Sequence, residues 1–150
     1  MKAVIQRCLN AQVEVDNQIV GKINKGFVVF LGIGKNDTDS DLEYLVKKVS
    51  NLRIFEDENA KMNLSINQIN GEMLVISNFT LYGNTKRGFR PDFFDSMMPQ
   101  RAEEYVNKFI EECKKTNCFK NIQTGIFGAD MKVSVVNDGP VTIIIDTENR

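Results

Sequence analysis

Apolar and polar residues alternate strictly through "AQVEVD", where Ala11, Val13 and Val15 share one side, and this period of two predicts a strand with a single buried face. The opening "MKAVIQRC" predicts another strand just before it. From Gly26 to Ile33 the run "GFVVFLGI" is continuously β-branched or aromatic, which predicts a central strand buried on both faces. A second buried strand is expected from Met73 to Phe79 in "GEMLVISNFTLYG". A third apolar region, "VVNDGPVTIII" from Val135 to Ile145, is interrupted by Gly139 and Pro140. Asn-Asp-Gly supplies positive φ cheaply and strands flank it, so the local reading is a hairpin turn.

The period changes to helical spacing in "TDSDLEYLVKKVSNL", with Leu42, Leu45, Val46, Val49 and Leu52 in register; Asp37 or Thr38 forms the N-terminus. A second helix is expected to open near Pro99 and to place Ala102, Tyr105, Val106, Phe109, Ile110 and Cys113 on one face. It closes on Lys114 and Lys115, where the helix dipole favours cations. Between the helices, "LRIFEDENAKMNLSI" predicts short strands around a polar turn at Glu58 and Asn59, and "GNTKRGFRPDFFDS" predicts a long loop. After the second helix, "TGIFGADMKVSVVN" carries a glycine-rich bend and then a strand on which Met131, Val133 and Val135 alternate. The expected class is α/β: mixed, strongly curved, barrel-like β-sheets covered by two main helices, in one domain over residues 1–150. The chain shows no repeat, low-complexity tract or linker.

Composition narrows the function. With 19 Lys and Arg against 20 Asp and Glu, the formal net charge is -1, so any nucleic-acid contact must come from a local patch. No apolar run approaches a membrane span and no signal sequence opens the chain, which predicts a cytoplasmic protein with no membrane partner. Cys8, Cys113 and Cys118 are an odd number and lack histidine partners, so neither a disulfide framework nor a metal site is expected; no cofactor is expected either. The absence of histidine removes Ser-His and Cys-His nucleophile pairs and a histidine general base.

Three segments carry candidate chemistry. Ser77, Asn78, Phe79 and Thr80 end a buried strand with polar side chains, which a scaffold can fix while a loop leaves them accessible; the same groups would serve equally to satisfy backbone at a strand end. Lys86, Arg87 and Arg90, interleaved with Phe89 and Phe93, suit a phosphate backbone and a stacked base, or a solvated loop. Gly139 and Pro140 form the third, because a proline amid strands cannot donate to a ladder.

Taken in order, "MKAVIQR", "NLRIFEDENAKMNLS", "SNFTLY", "KRGFRPDF" and "FGADMKVSVVNDGPVT" resemble the D-aminoacyl-tRNA deacylase family over essentially the whole chain. The resemblance implies that family's fold and a homodimer with active sites at the subunit interface. It also implies hydrolysis of the ester of D-aminoacyl-tRNA, and of glycine mischarged on tRNA. The family's Ser-Gln-Phe-Thr motif falls on Ser77 to Thr80, with Asn78 in place of glutamine and a reach shorter by about 1.5 Å. Its Gly-cis-Pro motif falls on Gly139 and Pro140, which the resemblance sends into the partner's site. Two carbonyls there are expected to form a rigid acceptor pair suited to an α-ammonium, one that would read configuration without reading the side chain. Phe127 and Met131 are similar to residues around the terminal adenine, with ordinary core as the plain alternative, and Arg7 is expected to brace the Gly-Pro loop. The family picture lets the tRNA's 2′-hydroxyl assist the water, with backbone N–H donors near Phe79 and Thr80. Thr80 then positions rather than attacks, because no base is at hand to activate it. A non-catalytic RNA- or nucleotide-binding homodimer on the same scaffold is the alternative.

Overall fold

β1 (Lys2–Val15) is one strand of 14 residues in the computed structural model, which describes residues 1–149. The sequence suggested two strands here. They merge because register shifts at Cys8 and Ala11 bend the strand without ending it, and Leu9 and Asn10 face solvent at the bend. The first half of β1 pairs antiparallel with β3 (Gly26–Gly32), and the second half pairs with β2 (Gln18–Ile23). β2 is a strand that the sequence pattern did not reveal. Asp16 and Asn17 join it to β1 with φ of 49° and 61°, the mirror-image turn that matches strand twist.

Beyond β3 the sheet continues with β6 (Glu72–Ser77) and β7 (Asn121–Thr124), both parallel to the strand before them. Parallel neighbours need crossovers. α1 (Asp39–Ser50) and the short hairpin of β4 (Phe55–Glu56) and β5 (Met62–Leu64) supply the first; α2 (Pro99–Lys115) supplies the second. β7 also went unrecognised, because its four residues, Asn-Ile-Gln-Thr, are too few and too polar to set a period.

The continuous apolar runs are explained by burial on both faces. Phe27, Val29 and Leu31 of β3, with Met73 and Val75 of β6, pack under the two helices. Val28, Leu74 and Ile76 point the other way, into a second core with Cys8, Val13 and Ile23. The sheet curls around that second core: a Cβ at Gly21 of β2 would lie 2.7 Å from the Thr124 carbonyl of β7 and 3.3 Å from Leu74. This near closure is the barrel-like form expected, and it needs a glycine at the seam.

Both helices follow their sequence signals. Thr38 caps α1 in a capping box with Asp41, whose carboxylate accepts from the Thr38 N–H at 2.9 Å and from its hydroxyl at 2.7 Å. Pro99 opens α2, and Lys114 and Lys115 close it while pairing with Glu111 and Glu112. Cys8 and Cys113 are core residues: burial pushes their thiols up to about 11 and about 12, which suppresses the reactive thiolate. No helix among the described residues is long and apolar enough to cross a membrane.

β8 (Lys132–Asp146) overturns the hairpin reading of "NDGPVT". It is one strand of 15 residues, and both halves pair with β1, Ser134 and Val135 with Gln12 and Ala11, Thr142 and Ile143 with Gln6 and Ile5. Between the Cys8–Asn137 and Gln6–Thr142 pairs, only Arg7 stands opposite residues 138 to 141. Gly139 and Pro140, joined by a cis peptide, therefore sit in a wide bulge rather than a chain reversal. The chain does not turn because β1 is long enough to pair with both sides of the interruption.

Candidate functional site

The site is built where β6 stops. Its last pair with β3 is Ser77 with Leu31, and the Asn78 N–H still donates to the Leu31 carbonyl at 2.8 Å. The chain then tightens into a 3-10 turn over Phe79–Tyr82, so the strand ends two residues earlier than the apolar pattern suggested. The N–H groups of Phe79 and Thr80, the first two in that turn, donate to no described group. The Thr80 hydroxyl donates to Asn78 Oδ1 at 2.6 Å. Tyr82 anchors the turn from beneath: it is buried, burial followed by the charge of Asp37 pushes its phenol far up, and Gly34 leaves room for its ring.

A cavity of about 550 Å³ opens over this turn. Ser77, Asn78, Phe79 and Thr80 form one wall; Gly128, Ala129, Asp130 and Met131 form the other. A second, apolar cavity of about 470 Å³ adjoins it, lined by Phe93, Phe94, Met97, Met98 and Phe127. Phe79 and Gly128 line both, and Phe79 meets Phe93 edge to face with centroids 4.9 Å apart. Met131 and Phe127 thus lie half-buried in different cavities on either side of one aromatic wall, not in one cluster. Asp130 was not singled out from the sequence, although it stands inside "FGADM". It is the one ionisable side chain lining the larger cavity, and no local pattern marks an exposed aspartate in a bend.

Lys86, Arg87 and Arg90 occupy an exposed loop tip closed by an antiparallel bridge between Asn84 and Asp92. None of the three forms an ion pair among the described residues. The loop returns through Phe93 to the apolar cavity, and Lys86 is near enough to Asp95 to help lower its carboxyl, an effect led by the hydrogen bond from Lys35.

Gly139 and Pro140 line neither cavity of their own chain. They are exposed on the β8 bulge, and Arg7 holds that bulge in place. Arg7 is 4% exposed. Its Nε donates to the Asp138 carbonyl at 3.1 Å and lies 3.3 Å from the Asp138 carboxylate, while Nη1 donates to the Ile54 carbonyl at 2.8 Å. One guanidinium fork therefore ties β1, the bulge and the segment before β4 together. Among the described residues no group of three or more His, Cys, Asp or Glu side chains could hold a metal ion.

Comparison with known proteins covers nearly the whole chain. The family model described as D-Tyr-tRNA(Tyr) deacylase matches residues 4–146. The D-aminoacyl-tRNA deacylase of Thermosipho africanus is 51% identical over 148 residues, 99% of this chain and 98% of that one. The D-aminoacyl-tRNA deacylase of Clostridium botulinum strain Loch Maree is 50% identical over 148 residues, with the same coverage. Among solved structures, a c-Myc DNA unwinding element binding protein superposes with a TM-score of 0.92 at 42% identity, covering 97% of this chain and 98% of its own. A structure described as a "probable eukaryotic D-amino acid tRNA deacylase" shares the fold, with a TM-score of 0.82 at 15% identity over 96% of this chain and 97% of its own. With a family model spanning the chain almost end to end and relatives identical at half of all positions, the chain belongs to the D-aminoacyl-tRNA deacylase family, a family of hydrolases.

Proposed function

We propose that this chain hydrolyses the ester linking a D-amino acid, or glycine, to the 3′ end of tRNA, acting in the cytoplasm as a homodimer. The observation that carries the reading is the pair of unused N–H donors on Phe79 and Thr80 at the wall of the cavity. Ester hydrolysis passes through a tetrahedral oxyanion, and fixed backbone donors stabilise such a charge without reorganising. The terminal adenosine lies in the apolar cavity toward Phe127, with its ester over the 3-10 turn and Met131 lining the cavity on the ester side.

The proton of the attacking water must go elsewhere. The chain has no histidine, and the Thr80 hydroxyl already spends its proton on Asn78, which favours a positioning role for Thr80. By the family resemblance, the tRNA's own 2′-hydroxyl assists the water. Asn78, shorter than the family's glutamine, keeps an amide in the site by engaging Thr80 across 2.6 Å.

Selectivity for the D form comes from the carbonyls of Gly139 and Pro140 on a second copy of the chain. Their exposure on a braced bulge, away from their own cavity, supports that assignment. Carbonyls that capture the α-ammonium leave an L side chain pointed at backbone and a D side chain pointed at open space. The test is deacylation of matched D- and L-tyrosyl-tRNA by purified protein, with mass in solution measured alongside. Loss of the D ester alone is expected; equal loss of both, or of neither, would favour a non-catalytic RNA-binding dimer. Thr80→Ala should retain activity within about tenfold, as for a lost positioning contact. A fall of roughly 10⁴-fold or more would instead make Thr80 the nucleophile.

A further inference from the structure

We propose that Asp130 receives the α-ammonium of the aminoacyl group and thereby sets the direction in which aminoacyl-adenosine lies in the site. The proposal rests on the deacylase reading above and adds a residue to it. Asp130 is the one ionisable side chain lining the larger cavity; it is exposed and takes no hydrogen bond or ion pair among the described residues. A free carboxylate beside an ester site is a counter-ion without a cation.

The surroundings give the cavity a direction. Asp130 also lines a neighbouring hollow of about 200 Å³ with Glu14, Asp16 and Lys132, and Lys132 is shared with Glu14 at 4.0 Å. That end is negative and disfavours phosphate. Through Phe79 and Gly128, which line both, the larger cavity joins the apolar one, whose Phe93 and Phe94 follow the loop bearing Lys86, Arg87 and Arg90 along the chain. The sequence along the surface is therefore anion, ester site, aromatic cavity, cations. Aminoacyl-adenosine at the end of a tRNA presents the complementary series: ammonium, ester, base, phosphate. One orientation matches every step, and the reverse places phosphate against Asp130 and ammonium among the cations.

Hydrogen-bond capacity agrees. An ammonium has three N–H donors. Two carbonyls from the Gly139–Pro140 step of a second copy would use two of them, and Asp130 takes the third.

The experiment measures binding to the full chain by calorimetry, with two non-hydrolysable analogues of D-tyrosyl-adenosine in which an amide replaces the ester. One carries the α-ammonium and the other a neutral α-hydroxyl. Asp130→Asn should weaken the ammonium analogue by about three- to tenfold, the scale of a partly exposed ion pair. The hydroxyl analogue should change by less than about twofold on the same scale. Asp130→Glu should restore the preference. Equal weakening of both analogues, or no change in either, would overturn the proposal. Wild-type protein that shows the Asp130-dependent preference but hydrolyses no D-tyrosyl-tRNA would keep this role for Asp130 and remove the deacylase reading.

Discussion

Replacing Gly139 with alanine is expected to slow hydrolysis of D-tyrosyl-tRNA by about two orders of magnitude, the usual cost of moving a positioning group by ~1 Å. Gly139 has a φ of 129°, a region that L residues avoid. An added Cβ would also meet Val141 Cγ2 at 2.7 Å, the Val141 nitrogen at 3.0 Å and Arg7 Nη2 at 3.2 Å. The bulge must shift to admit it. Arg7 limits how far it can shift, because the guanidinium is committed to Ile54 and Asp138 on either side. The strain should cost about 1–3 kcal/mol of stability, seen as a drop of several degrees in thermal melting. Melting and D-tyrosyl-tRNA decay should be followed on the same preparation. A variant that melts a few degrees lower yet deacylates at the parental rate would detach Gly139 from the reaction.

The second large effect concerns the support beneath the site. Asp37 is 5% exposed, and its carboxylate accepts from the Met1 α-ammonium and from the Gly34 N–H. The same ammonium donates to Thr147, so the group joins both ends of the described chain to the start of α1. Tyr82, which closes the 3-10 turn of the site, packs its hydroxyl toward Asp37 at 3.5 Å. Asp37→Ala removes one member of a buried ion pair and leaves the other charged without compensation, at a cost of about 3–5 kcal/mol. For a chain of this size that lowers the melting temperature by roughly 10 °C. Asp37→Asn, which keeps one carbonyl acceptor, should lose less. Urea unfolding of the three proteins gives the comparison, and a loss below about 1 kcal/mol for alanine would place the pair among the weak, solvated ones. Loosening Tyr82 should also blur the donor pair at Phe79 and Thr80, so D-ester hydrolysis should fall before the protein melts.

Legibility in the sequence tracked how strongly a pattern was enforced locally. The α1 and α2 stripes were readable because each helix buries one face, and the β3 and β6 runs were readable because both faces are buried. β2 and β7 were not, since their short segments carry mixed polarity and owe their strand form to neighbours. The motif residues Ser77 to Thr80 were visible as polar groups at a strand end. Their division into two free N–H donors and one Thr80–Asn78 hydrogen bond was not, because it depends on where β6 gives way to the 3-10 turn. Asp130 was invisible for a related reason: its place in the cavity lining comes from a bend that folds back beside the end of β6, a whole helix away from Ser77 along the chain.

By itself, the sequence determined the class of the fold, the positions of both helices and the two buried strands, and the lack of histidine that narrows the chemistry. Those follow from residue type and period, which act locally. Only the tertiary structure decided that Gly139 and Pro140 occupy a bulge, which carbonyls Arg7 uses to brace it, that Phe127 and Met131 lie in separate cavities, and that Asp130 lines the same cavity as the motif. Each of these is set by which distant strand pairs with which, and pairing across a curved sheet is fixed by the burial of both faces together rather than by any one segment.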